Sequence, residues 1–317
     1  MNIPDGFRAA LAELDGGLVA IDARRAPGLL PIVSELASGR DVSDARLAGL
    51  VRPSSQAASA RSGIMIVPAI GGGGTALAVV PMHGVALYDL DYQPYCFSTA
   101  KLAATVAELA NDKKIGKIVL DINTPGGQVT GTQEAADAVF LARKKKPVIG
   151  IVNALCASAG YWIGSQCTKL IGVPSADVGS IGVFMAHSDY SALLAKAGVK
   201  PTLIYAGEHK TEGNSMEPLS DKAKEWFQSE VDGTYRQFLR AVALGRGTDS
   251  ANVKDRFGGG RCFGATMAKS VGMIDEIATP ERALISVATA KMVAATLSPN
   301  QISAERRRRL IAMQEAQ

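Results

Sequence analysis

Long apolar runs are missing from this 317-residue sequence. The longest, Ala76 to Val80 and Val148 to Val152, fall far short of the roughly 20 residues that a bilayer-crossing helix needs. The first twenty residues carry Asp5, Glu13 and Asp15 and no apolar core, so no signal peptide is expected. Cysteine is sparse. Cys96, Cys156, Cys167 and Cys262 are scattered without a C-x-x-C pair, which argues against structural zinc and a disulfide scaffold and suits a reducing cytosol. A dominant charge is lacking too. Lys and Arg number 34 against 30 Asp and Glu, a net +4, and part of that excess is the run Arg306 to Arg309, so no nucleic-acid partner is expected. The 33 glycines show no period of three, which excludes collagen.

What remains is the balance of a soluble globular protein with a real core, 47% hydrophobic and 20% charged. Residues 1–61 read as a loosely organised extension. Short helical candidates at Phe7 to Leu14 and Leu29 to Leu36 are interrupted by Gly16-Gly17, Pro27-Gly28 and Pro31, and a boundary falls in Pro53 to Ser62. From residue 62 to about 285 the pattern is α/β. Strands are expected at Ile64 to Val67, Ala76 to Met82, Lys117 to Ile122, Pro147 to Val152, Lys169 to Val173, Ser180 to Met185 and Thr202 to Tyr205. Helices are expected at Thr99 to Ala110, Thr132 to Lys144, Ser158 to Gln166, Tyr190 to Ala197 and Ser220 to Leu244. Such alternation implies βαβ crossovers and a mostly parallel sheet. Residues 286–317 form an Ala-rich and then charged tail.

Three segments could carry chemistry. In Val148 to Ser165, VIGIVNALCASAGYWIGS, a strand runs into small residues and Ser158 opens a helix. Small neighbours admit a substrate carbonyl, and a helix start offers free N–H groups to an oxyanion. Taken alone, the default reading is close packing with Ser158 as a helix N-cap. The second segment is Asp121-Ile-Asn-Thr-Pro-Gly-Gly127, whose two glycines let backbone N–H groups face a ligand, or simply make a turn. It fits neither a dinucleotide fingerprint nor a phosphate-binding P-loop. The third is the base. Of the three histidines, His83, His187 and His209, none stands in a recognisable relation to a carboxylate; the alternative is a lysine, and Lys210 lies in the polar loop Tyr205 to Asn214, directly after an expected strand. A lysine that works near neutral pH must lose about 3 pKa units from roughly 10.4, so it must be shielded from water; otherwise it is a solvated charge.

Order and spacing bring the segments together. The sequence resembles the signal peptide peptidase A family of serine–lysine proteases, and within it the bacteriophage branch of lambda-type prohead (capsid maturation) proteases. The likeness covers about residues 62 to 280 through D-I-N-T-P-G-G, N-A-L-C-A-S-A-G-Y, V-G-S-I-G-V-F-M-A-H-S-D-Y, T-L-I-Y-A-G-E-H-K-T-E-G-N and R-C-F-G-A-T-M-A-K-S-V-G-M-I-D-E. The resemblance implies a ClpP/crotonase-like spiral of βαβ units, with Ser158 as nucleophile, Lys210 as general base and Ser180 orienting the lysine. It places the oxyanion hole at the backbone of Gly126, Gly127 and Ala159. It further implies a homo-oligomer, capsid scaffold or portal proteins as substrates, no metal or other cofactor, no membrane anchor, and action in the host cytoplasm or inside the prohead. Rival expectations are a bacterial signal-peptide-peptidase-like protease, a non-catalytic capsid assembly component, and crotonase-type acyl-CoA chemistry.

Overall fold

Apolar residues run almost without break along the central strands Ala76–His83 and Val148–Ala157, so both faces of the sheet must be covered. The structure, a computed structural model, describes residues 17, 19–21, 63–68, 75–91 and 95–289. In chain order the elements are β1 (Val19–Ile21), β2 (Met65–Val67), β3 (Ala76–His83), β4 (Val85–Leu87), β5 (Cys96–Ser98), α1 (Thr99–Asn111), β6 (Ile115–Thr124) and β7 (Gly126–Gln128). Then come α2 (Thr132–Ala142), β8 (Val148–Ala157), α3 (Ala159–Gly164), β9 (Lys169–Gly172), β10 (Asp177–Gly179) and α4 (Ser191–Lys196). The last are α5 (Asp221–Arg246), α6 (Ser250–Arg256), β11 (Cys262–Gly264), α7 (Ala265–Ser270), β12 (Glu276–Ile277) and α8 (Pro280–Thr289).

The larger sheet runs β11-β10-β8-β6-β3-β2, with β9 on β8 and β12 on β9. Its pairings β3–β6, β6–β8, β8–β9, β8–β10 and β9–β12 are parallel; only β2 and β11 join antiparallel. Ala78, Val80, Met82, Ile118, Leu120 and Ile122 enter the main core with residues of α1, α2, α3 and α5, while Leu77, Val79, Val119, Ile149 and Ile151 meet Ala283 and Val287 of α8. Both faces are therefore covered, as a parallel sheet requires. The expected α/β class with a mostly parallel sheet is what forms.

A second sheet, β1-β7-β4-β5, stands beside the first. The chain steps from the large sheet to the small one twice, after β3 at Gly84 and after β6 at Pro125. These steps lift the backbone of the Pro-Gly-Gly segment away from the large sheet. Where the sequence suggests only a loop over 123–128, β7 adds a strand.

Two expected strands do not form. The segment Ser180 to Met185 follows a strand instead of being one, because β10 ends at Gly179, whose φ of 136° turns the chain. Thr202 to Tyr205 has no regular structure, and Ile204 is 97% exposed, so no sheet among the described residues receives it. The helical candidates near residues 7–14 and 29–36, the boundary near 53–62 and the tail from 290 lie outside the described residues. Helix α5 is divided. Its last turns bury Phe238, Leu239 and Val242, with Phe238 stacked on Trp162 at 4.4 Å, while Trp226 near its start is 58% exposed.

Candidate active site

Strand β8 carries two more residues than its partner. Ile122 pairs with Val152 but Thr124 with Cys156, and the surplus around Asn153 and Ala154 bulges outward with Ala154 at φ 97°. Beyond the bulge β8 leaves β9 and continues between β6 and β10, which delivers Ala157 opposite Gly179. The next residue, Ser158, is fully buried and held at φ 53°, ψ −119°, a conformation that favours glycine. Its N–H donates to Gly179 O at 2.8 Å. Its hydroxyl makes no cap to α3, and among the described residues it reaches only Gly182 O, at a long 3.4 Å. The N-cap explanation for this serine is thus not used by the fold: the side chain is spare.

Ser180 lies alongside. It is buried, has a positive φ of 54°, and donates its N–H to Arg261 O at 2.8 Å. Two non-glycine residues with positive φ therefore flank one backbone bond, Ser158 N to Gly179 O. Strain of this kind costs of order 1–3 kcal/mol per residue and persists where surrounding structure enforces it.

The Gly-Gly strand closes the site on another side. Gly127 approaches β4 so closely that a Cβ would fall 2.0 Å from Ala86 O, and a Cβ on Gly160 of α3 would meet Thr124 Cγ2 at 2.3 Å. Helix α3 packs against β7, so Ser158, Ala159 and the glycines are neighbours. Gly126 donates its N–H to Thr124 Oγ1 at 3.1 Å, so one of the three expected backbone donors is already engaged, and Gly127 is paired within the small sheet.

Lys210 is not joined to these residues. It lies exposed in a turn, its N–H bonded to Gly207 O at 3.1 Å, and among the described residues no hydrogen bond joins it to Ser158 or Ser180. Its neighbour His209 is committed elsewhere, with Nδ1 2.8 Å from Glu212 Oε1. His187 Nε2 is 2.9 Å from Asn214 O. Sequence reasoning missed one pair. His83 Nε2 lies 3.0 Å from Asp121 Oδ2, joining the end of β3 to the C-terminal half of β6. Their separation of 38 residues hides the contact; the adjacent parallel pairing of their strands is the only signal that could have found it.

Among the described residues there is no His/Cys/Asp/Glu group able to hold a metal ion, and no helix long and apolar enough to cross a membrane. Residues 141–294 match peptidase family S49, a stretch that contains Ser158, Ser180 and Lys210. The chain carries a peptidase family S49 domain. Similar proteins include capsid assembly protease C of Escherichia phage lambda, 35% identical over 204 residues, 63% of this chain and 46% of its own. Head-tail preconnector protein GP5 of Enterobacteria phage P21 is 31% identical over 219 residues, 68% of this chain and 43% of its own. The chain spans less than half the length of either relative. Among solved structures, an enoyl-CoA hydratase/isomerase family member superposes with a TM-score of 0.42 at 16% identity, over 72% of this chain and 77% of its own.

Proposed function

We propose that this S49 domain is a serine endopeptidase in which Ser158 is the nucleophile and Lys210 the general base, acting on capsid scaffold or portal proteins. The observation that carries it is Ser158 itself. A buried hydroxyl that caps nothing, on a strained turn beside a Gly-Gly strand, has no structural use that alanine would not serve. The substrate class is supported by the phage relatives, one of which is named a capsid assembly protease.

In this mechanism neutral Lys210 takes the Ser158 proton as the oxygen adds to the peptide carbonyl. The N–H groups of Gly127 and Ala159 receive the oxyanion. As the C–N bond breaks, Lys210 returns the proton to the leaving amine, and water, deprotonated by the same lysine, hydrolyses the acyl ester. Ser180 orients the lysine.

An exposed ammonium holds its proton, and the neutral amine is favoured only where water is withdrawn. The segment around Lys210 carries the exposed apolar residues Leu193, Val199, Ile204 and Tyr205, and Trp226 stands out from α5. Such a surface supports self-association, which would cover these residues and shield the lysine together. The site of action is the host cytoplasm, within the assembling prohead. The test is co-expression with a candidate scaffold or portal protein. Fragments should appear with the wild type and vanish with Ser158→Ala; identical fragments from both would overturn the assignment.

A further inference from the structure

The smaller sheet holds a strand from the far N-terminal part of the chain. β1 pairs antiparallel with β7, setting Val19 against Gln128, Ala20 against Gly127 and Ile21 against Gly126. β7 is thus flanked on one edge by β4, through Ala86 and Gly127, and on the other by β1. A strand edge with unpaired N–H and C=O groups is the natural dock for an extended polypeptide, whose main chain extends the sheet while its alternate side chains find pockets. The edge of β7 has two further properties that suit it to this use. Gly126 and Gly127 carry no side chain to hold a visiting backbone away, and β7 packs directly on α3, whose first residue follows Ser158. A polypeptide paired with this edge is laid beside the nucleophile. In this structure the edge is taken by the chain's own residues 19–21.

We infer that β1 is a resident strand occupying the edge on which polypeptide substrates dock, so that the chain keeps its own Ser158 site closed until β1 is displaced. The inference rests on the assignment of Ser158 as nucleophile. A three-residue strand offers few ladder bonds, so it is an occupant that can be exchanged. Being tethered, however, it competes at an effective concentration of about millimolar, and free segments that bind more weakly than this are excluded. The device would discriminate against occasional unfolded chains and favour substrates that are held nearby at high local concentration. The incoming segment would run antiparallel to β7, in the same direction as β1.

The test uses the full chain and a fluorescein-labelled peptide with the sequence of residues 17–23. Adjacent residues of an antiparallel strand alternate between bonded and non-bonded pairs, so Ala20→Pro with Ile21→Pro removes a ladder donor whichever residue supplies it. A second variant, Val19→Ser/Ala20→Gly/Ile21→Ser, releases the strand without proline. In a Ser158→Ala background, where no cleavage intervenes, both release variants should bind the peptide at least tenfold more tightly than the chain with β1 intact. With Ser158 present, both should cleave casein at least fivefold faster than the unaltered chain. Hydrogen exchange at residues 126–128 should be faster in the variants, while the amides of β3, β6 and β8 keep their protection. Equal peptide affinity with and without β1 overturns the inference, even if cleavage remains Ser158-dependent. Tighter binding on release with no cleavage by any chain leaves the resident strand standing and removes the assignment of Ser158.

Discussion

Replacing Ser158 with glycine should inactivate the protein and make it more stable. The backbone at 158 has φ 53° and ψ −119°, where any residue with a Cβ is strained by about 1–3 kcal/mol. Ser158→Ala keeps that Cβ and removes a hydroxyl whose single bond, to Gly182 O, is 3.4 Å long. A bond this long contributes a few tenths of a kcal/mol at most, so the alanine variant should melt within about 1 °C of wild type. Ser158→Gly removes the strain as well. Against this, glycine loses about 0.4–1 kcal/mol more backbone entropy on folding. The net gain is about 1 kcal/mol, or roughly 2–4 °C in Tm for a domain of this size. Both variants should lose cleavage by about six orders of magnitude, the scale on which removing an activated serine acts. Paired thermal melts and cleavage assays decide it. A glycine variant that melts below the alanine variant would show that the turn stores no strain; near-wild-type cleavage by either would place the nucleophile elsewhere.

Lys210→Arg should be as inactive as Lys210→Ala, since a guanidinium cannot accept the proton, and both should melt like wild type because the side chain is exposed; an active arginine variant with an inactive His209→Ala would transfer the role of base. Gly127→Ala places a Cβ 2.0 Å from Ala86 O, which backbone cannot yield to, so it should cost at least 2 kcal/mol in denaturant titration, whereas Gly182→Ala, with its nearest neighbour at 3.7 Å, should be nearly neutral. Burial pushes the Cys167 thiol up to about 12 from an ordinary 9.0, and that of Cys156 up as well. Below pH 9 the thiol is neutral whether the chain is folded or not; between 9 and 12 only the unfolded chain releases the proton. Stability should therefore fall as pH rises through that window, and Cys167→Ala should flatten the fall in guanidinium midpoints. A slope unchanged by the substitution would count against the buried thiol.

Much of the fold was legible because each central strand announces its two buried faces. The run from Lys117 to Ile122 and the helices opened by Ser98 and Ser220 form where alternation and capping residues place them, Ser98 Oγ accepting from Lys101 N and Ser220 Oγ from Ala223 N. Thr202 to Tyr205 fails for a related reason: a short apolar run signals burial only when something covers it, and the cover for Ile204 is not in this chain's described residues. In the site, the serine and the glycines were readable from small-residue motifs. The pair His83–Asp121 and the strand β1 were not, because both depend on partners set by topology: 38 residues apart in one case, and about 107 in the other. The exposure of Lys210 was equally hidden, since a sequence orders residues along a chain and does not say which surface a polar loop folds toward.

The turn at Ser158 is secured almost entirely from residues that follow it. Gly179 O receives the serine N–H, Ser180 N–H is fixed by Arg261 O, β10 is held by β11, and Tyr161 of α3 donates its hydroxyl to Met273 O. Synthesis proceeds in the opposite sense, from the N-terminus. A growing polypeptide therefore has β1, β7 and the serine long before it has the groups that bend the serine into place. On the ribosome Ser158 is present but its turn is unformed, and the turn is set only when the stretch from 261 to 273 emerges. A chain released early, or truncated in that stretch, carries Ser158 and its small neighbours without the geometry, so under the proposed assignment it should not cleave.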